Sequence, residues 1–127
     1  MEIRHDVRPV LLVEDDEAIR ESLSELLEAE GYRVVTARNG QVALEWLESS
    51  SEPPVVVLLD LMMPVMSGLE LLDAMRGLSD AKRRDVPVIV LTASRDRSEA
   101  QGVIANLRKP IDVDELLDTI ARVFAAA

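Results

Sequence analysis

The chain contains no cysteine, which leaves it without a disulfide framework or a thiolate metal site. Aromatic residues are almost absent as well. Tyr32, Trp46 and Phe124 are the whole set, so Leu, Val, Ile and Met must fill the core. No apolar run approaches the ~20 residues of a membrane-spanning helix, and the charged start Met1-Glu2-Ile3-Arg4-His5-Asp6 lacks the apolar stretch of a signal peptide. Positive charge is scarce: 14 Lys and Arg stand against 24 Asp and Glu, and the resulting net charge of -10 repels nucleic-acid backbones and anionic lipid. Direct nucleic-acid and membrane partners are not expected, and cytoplasmic localisation is. There is no internal repeat and no low-complexity segment.

What is present is 127 residues of which 48% are apolar, enough to bury one core and too few for two ordinary domains. The expectation is a single domain spanning 1–127, its core covering about residues 8–125, with no separate output domain.

Four apolar runs end on polar residues of different kinds. Val10 to Val13 leads into Glu14, Asp15 and Asp16; Val55 to Leu59 stops at Asp60; Val86 to Leu91 stops at Thr92; Val103 to Leu107 leads to Lys109-Pro110. Parallel strands covered on both faces read as unbroken apolar runs, and ligands sit beyond their carboxyl ends. A shorter, half-polar run, Arg33 to Ala37, reads as an edge strand. Asp16, Asn39 and Ser67 (with Glu70 in capping-box spacing) are placed to cap three helices, Gly31 and Gly77 to end two of them, and a last helix is expected to run from Asp112. The helical stripes predicted to be buried are Ile19, Leu23, Leu26 and Leu27; Val42, Ala43, Trp46 and Leu47; Leu69, Leu72 and Met75; and Val113, Leu116, Leu117, Ile120, Val123 and Phe124. Leu78 to Asp85 reads as a charged loop. Only Ser94 to Gly102 remains for a helix between the fourth and fifth strands, with Ala100 its one plausible buried residue, so that helix is expected to be short, frayed or absent. The fold class that follows is α/β: a parallel five-stranded sheet with right-handed crossovers, helices on both faces and a shortened or missing fourth helix.

Val13-Glu14-Asp15-Asp16, Asp60-Leu61-Met62-Met63-Pro64 followed by Gly68, Thr92-Ala93, and Lys109-Pro110 together resemble the receiver domain of bacterial two-component response regulators. The resemblance runs from Val10 to Phe124 and implies a doubly wound, flavodoxin-like (βα)5 fold with strand order 2-1-3-4-5. It implies a phosphorelay role in which Asp60 accepts a phosphoryl group from a histidine kinase or histidine phosphotransfer protein and the domain signals through contacts with a further protein partner. The chemistry of the residues agrees. A carboxylate at an exposed strand end can attack phosphorus and form an acyl phosphate. Glu14 and Asp15 add negative charge, which raises carboxylate pKa values unless a cation intervenes, and an all-oxygen site suits Mg2+. By resemblance Asp15 and Asp60 bind the metal, the Met62 carbonyl adds a ligand, and Glu14 acts mainly through water. Thr92 offers a hydroxyl to a phosphoryl oxygen and Lys109 a mobile cation that pairs with Asp60 and then with its phosphoryl group; the resemblance also implies a cis Lys109-Pro110 bond. Such a domain catalyses only its own phosphorylation and hydrolysis, so it is not expected to be an enzyme in the ordinary sense. A kinase is expected to dock beside the first helix, at Ile19 and Leu23.

Two departures fall on the surface that reports phosphorylation in this family. Asn106 stands three residues before the lysine, where Tyr or Phe is usual. The stretch from Thr92 to Lys109 is shorter than usual by more than one helical turn, about five residues at 3.6 per turn. They leave room for a phosphorylation-independent adaptor that keeps the fold. An aspartate-nucleophile phosphatase of the haloacid dehalogenase type would want a carboxylate where Met62 stands, and a flavin site would want a Ser/Thr/Gly-rich phosphate loop where acidic residues follow the first strand.

Overall fold

A computed structural model describes residues 7–93, 100 and 102–127. The chain runs β1 (Val10–Val13), α1 (Glu17–Ala29), β2 (Val34–Ala37), α2 (Gly40–Ser49), β3 (Val56–Asp60), α3 (Gly68–Arg76), α4 (Ala81–Arg84), β4 (Val88–Thr92), β5 (Val103–Arg108) and α5 (Val113–Ala126). The strands form one sheet in the order β2-β1-β3-β4-β5, every pair parallel. This is the doubly wound arrangement expected from the sequence.

Side chains alternate across a strand, so each apolar run supplies two cores. Leu11, Val13, Val57, Leu59, Val88 and Val90 face Leu47, Leu71, Leu72 and Met75 of α2 and α3. Val10, Leu12, Val56, Leu58, Ile89 and Leu91 face Leu23 and Leu27 of α1 and Leu116 and Ile120 of α5. Two of the three aromatic rings meet on this second side, Tyr32 against Phe124 with centroids 4.8 Å apart, while Trp46 packs on the first. β2 at the sheet edge is only partly covered, which accounts for its mixed sequence.

The caps at Asp16, Asn39 and Ser67 are where the sequence places them, and Asp112, expected as the start of the last helix, is its cap. Asp16, Asn39, Ser67 and Asp112 accept from the backbone amides of Ile19, Val42, Glu70 and Glu115, and Ser67 with Glu70 completes the capping box. Gly31 follows α1 with φ of 92°, a left-handed conformation that costs glycine little.

Three expectations need correction. Leu78 to Asp85 is not all loop: Asp80 caps the turn α4, and Arg83 crosses to the Leu47 carbonyl at the end of α2, 2.8 Å away. A charged segment forms helix here because its cation satisfies a carbonyl left over at the end of another helix. Leu69 does not join the buried stripe of α3; Leu71 takes that place, and Leu69, about 110° around the helix from the stripe's centre at 100° per residue, is 58% exposed. Val113 is exposed as well, because Cα–Cβ bonds tilt toward a helix's N-terminus and carry a first-turn side chain off the core face. The expected helix between β4 and β5 lies outside the described residues except for Ala100, which packs against the α2/α3 side, and Gly102.

Val65, between β3 and α3, has φ of 70° and is 78% exposed. A β-branched residue is strained in the left-handed region, whereas Asn tolerates it. Val65→Asn should stabilise the protein by about 1 kcal/mol, read as a higher denaturant midpoint with an unchanged slope.

Candidate functional site

The sheet register assembles the site. Val13 lies opposite Leu59, so Glu14 and Asp60 come out side by side at the ends of adjacent strands. Asp60 in turn lies opposite Leu91, with Thr92 next, and Thr92 lies opposite Arg108, with Lys109 next. Residues up to 95 positions apart in the chain thereby meet at one rim.

Glu14 is fully buried and Asp60 is 4% exposed. The Lys109 ammonium donates to Glu14 Oε1 at 2.8 Å and stands 3.6 Å from Asp60 Oδ2. The expected partner of this lysine is Asp60, but Glu14 is the nearer one. Glu14 Oε2 also accepts from the Asp16 amide at 3.3 Å, and Asp60 Oδ1 accepts from the Met62 amide at 3.1 Å. The Lys109 backbone amide bonds the Thr92 carbonyl at 2.7 Å, tying the ends of β4 and β5 together, and the Lys109-Pro110 bond is cis. Thr92 is buried.

Glu14, Asp15 and the Asp60 carboxylate each offer an oxygen within 4.8 Å of the others, a group that could hold a metal ion. Asp15 is its exposed member. Asp16 does not belong to the group and serves as the cap of α1. Met62 keeps its backbone beside Asp60 while its side chain is 73% exposed. Asn106 is half-buried on β5 opposite Val90, away from the strand ends.

Crowding two carboxyl groups in a dry site sets their protonation. Burial, and then the adjoining Glu14 carboxylate, push Asp60 up to about 7, against the opposing pull of the Met62 amide and Lys109. Burial also raises Glu14, but hydrogen bonds with Asp60 and Lys109 outweigh it and the net shift is downward. The pair therefore retains a proton on the Asp60 side where an isolated aspartate would have lost it. Such a donor set fits a hard divalent cation, which would replace that proton.

Gly68 opens α3 against the back of this site. A Cβ there would meet the Asp60 carbonyl and Leu61 Cα, each at 2.7 Å, and the Gly68 amide donates to the Leu61 carbonyl at 3.1 Å. Gly40, at the start of α2, is pressed in the same way on the Met66 carbonyl at 2.7 Å. A cavity of about 1320 Å³ opens at the opposite ends of the strands, lined by Val7, Pro54, Val86, Ile104 and Ala126, and includes none of these residues.

Sequence reasoning missed two features. Met62, Val65 and Leu69 are exposed apolar residues in the segment that follows Asp60, for which the only signal was the apolar residues on both sides of Pro64. Arg20 on α1 donates to the backbone carbonyls of Glu14 at 3.0 Å and Asp15 at 3.4 Å; its signal was a lone cation one turn into a helix that follows an acidic loop.

Residues 10–121 match the response regulator receiver domain. The chain belongs to this family. Response regulator MprA of Mycobacterium tuberculosis is 40% identical over 113 residues, covering 85% of this chain and 46% of that protein; the receiver domain thus spans about half the length of the curated relatives it matches. Among solved structures, chemotaxis protein CheY4 of Vibrio cholerae superposes with a TM-score of 0.81 at 32% identity, covering 93% of this chain and 99% of that one. Response regulator TrrA of Thermotoga maritima, solved in complex with Mg(2+)-BeF, gives 0.77 at 34% identity, covering 91% and 98%. No described helix of this receiver domain is long and apolar enough to cross a membrane.

A carboxyl whose folded pKa exceeds its unfolded one stabilises the fold while protonated, and that contribution is lost as pH rises from the ordinary 3.8 through about 7. In metal-free buffer, Asp60→Asn should therefore melt above the wild type near pH 8, by on the order of 1 to 3 kcal/mol, with the difference shrinking toward about pH 5. Thermal melts at a series of pH values measure it; a gain that does not change with pH would contradict the shared-proton description.

Proposed function

We propose that this receiver domain accepts a phosphoryl group on Asp60 from the phosphohistidine of a histidine kinase or histidine phosphotransfer protein, acting in the cytoplasm and signalling through protein–protein contacts. The observation that carries the reading is the convergence of Asp60 with Glu14, Asp15 and Lys109 in one acidic hollow.

In this reading an Asp60 oxygen attacks phosphorus, the P–N bond of phosphohistidine breaks as the P–O bond forms, and the imidazole leaves with its electron pair to be protonated by solvent. Asp15, Asp60 and the Met62 carbonyl would hold Mg2+, with Glu14 assisting through water. When bound, the ion lowers the Asp60 pKa and neutralises charge on the phosphoryl oxygens. Lys109 pairs with Glu14 before transfer and turns its ammonium to a phosphoryl oxygen afterwards, a small displacement for a flexible side chain. Thr92 donates its hydroxyl to a second phosphoryl oxygen. The similarity to TrrA with its bound Mg(2+)-BeF supports Mg2+ as the cation. The domain turns over no separate substrate: its only reactions are gain and hydrolysis of its own phosphoryl group.

The phosphodonor protein docks through the exposed apolar residues Met62, Val65 and Leu69 and half-buried Ile19. Leu23, expected from the sequence to take part, is buried and unavailable to a partner. With Asn106 in place of an aromatic, output does not depend on a ring at that position.

Incubation with acetyl phosphate and Mg2+ should give a mass gain of one phosphoryl group that is absent from Asp60→Asn and from reactions with excess chelator. No gain in the wild type would favour the phosphorylation-independent adaptor.

A further inference from the structure

Arg20 occupies three successive backbone carbonyls in the turn between β1 and α1. Its Nη1 donates to Glu14 O at 3.0 Å and to Asp15 O at 3.4 Å, and its own amide donates to Asp16 O at 2.9 Å. Among the described residues, the exposed Asp15 side chain accepts no hydrogen bond. The direction of its carboxylate is therefore inherited from the backbone, whose amides at Glu14 and Asp16 are held by the Ala37 carbonyl and the Glu14 carboxylate and whose carbonyls at Glu14 and Asp15 are held by Arg20. Glu14 differs: its carboxylate is fixed directly, by Lys109 on one oxygen and the Asp16 amide on the other.

We propose that Arg20 is a positioning residue for cation binding, acting through Asp15 and not on the bound ion. One guanidinium nitrogen with two hydrogens can hold two consecutive carbonyls at once, which fixes the peptide planes on either side of Asp15 and keeps its carboxylate turned to the hollow it shares with Glu14 and Asp60. The carbonyl dipoles of the turn are also satisfied by Arg20 and so do not compete with the carboxylates for the cation. A permanent positive charge under the loop offsets part of the repulsion among three carboxylates without occupying the cation's place. An ammonium would supply charge and donors, but on a shorter side chain with freely rotating hydrogens and not with two hydrogens fixed in one plane. This inference rests on the reading that Glu14, Asp15 and Asp60 take Mg2+.

The test compares Arg20→Gln and Arg20→Lys with the wild type and with Arg33→Gln, whose arginine ties down a backbone carbonyl elsewhere, donating from Nη1 to Val7 O at 2.8 Å. Mg2+ affinity is measured by isothermal titration calorimetry, and phosphorylation by acetyl phosphate is followed as a function of Mg2+ concentration. Arg20→Gln should bind Mg2+ about 10- to 100-fold more weakly, the range found when groups supporting metal ligands are removed, yet approach the wild-type phosphorylation rate at saturating Mg2+. Arg20→Lys should recover only part of the affinity, and Arg33→Gln should bind Mg2+ as the wild type does. A folded Arg20→Gln with wild-type affinity overturns the proposal, as does an equal loss in Arg33→Gln. Should Arg20→Gln fail to fold, Arg20→Lys decides: wild-type affinity overturns the proposal and a partial loss supports it. A wild type that binds no Mg2+ overturns the metal reading and this inference with it, whereas failure confined to the Arg20 variants overturns this inference alone.

Discussion

Glu14 and Asp60 emerge from neighbouring parallel strands with almost no access to water, and the Lys109 ammonium is what makes that juxtaposition tolerable. Two buried carboxylates with one cation are one charge out of balance, which the metal-free protein corrects by retaining a proton near Asp60. The site is thus in a state that a divalent cation can improve. The fold supplies this tension at one place because a parallel sheet delivers all of its strand ends to the same rim. Had the register of β1 and β3 slipped by one residue, Glu14 and Asp60 would face opposite sides of the sheet.

The fully apolar cores on both faces allow so polar a rim to be held in place. Every residue of β1, β3 and β4 is buried, and their alternating side chains lock the register against α2 and α3 on one side and α1 and α5 on the other. Stability is thereby concentrated in aliphatic packing, so polar groups at the strand ends can be arranged at some energetic cost without endangering the fold.

Most of this was legible in the sequence, for particular reasons. Buried parallel strands leave long apolar runs with abrupt polar ends, so Asp60 and Thr92 identified themselves by interrupting Val and Leu. Caps are local, and Asp16, Asn39 and Ser67 could be read from a few residues each. Interactions decided by tertiary packing were not legible. Nothing local distinguishes Leu69 from Leu71, and only the angle at which α3 sits on the sheet buries one and exposes the other. The turn α4 depends on Arg83 reaching a carbonyl 36 residues away. The preference of Lys109 for Glu14 over Asp60 is a matter of tenths of an ångström, and Arg20 acts on main-chain atoms, whose identity leaves no trace in side-chain patterns.

The two close approaches of glycine behind the site have a mechanical meaning. Gly68 lies on the main chain of Asp60 and Leu61, and Gly40 on that of Met66, with no side chain between to act as a cushion. Helices α2 and α3 are consequently seated on peptide units at Asp60 and in the segment that follows it, and a densely packed contact of this kind transmits displacement instead of absorbing it. Whatever moves the backbone after residue 60 is felt first at the amino ends of those two helices, on the sheet face opposite α1 and α5.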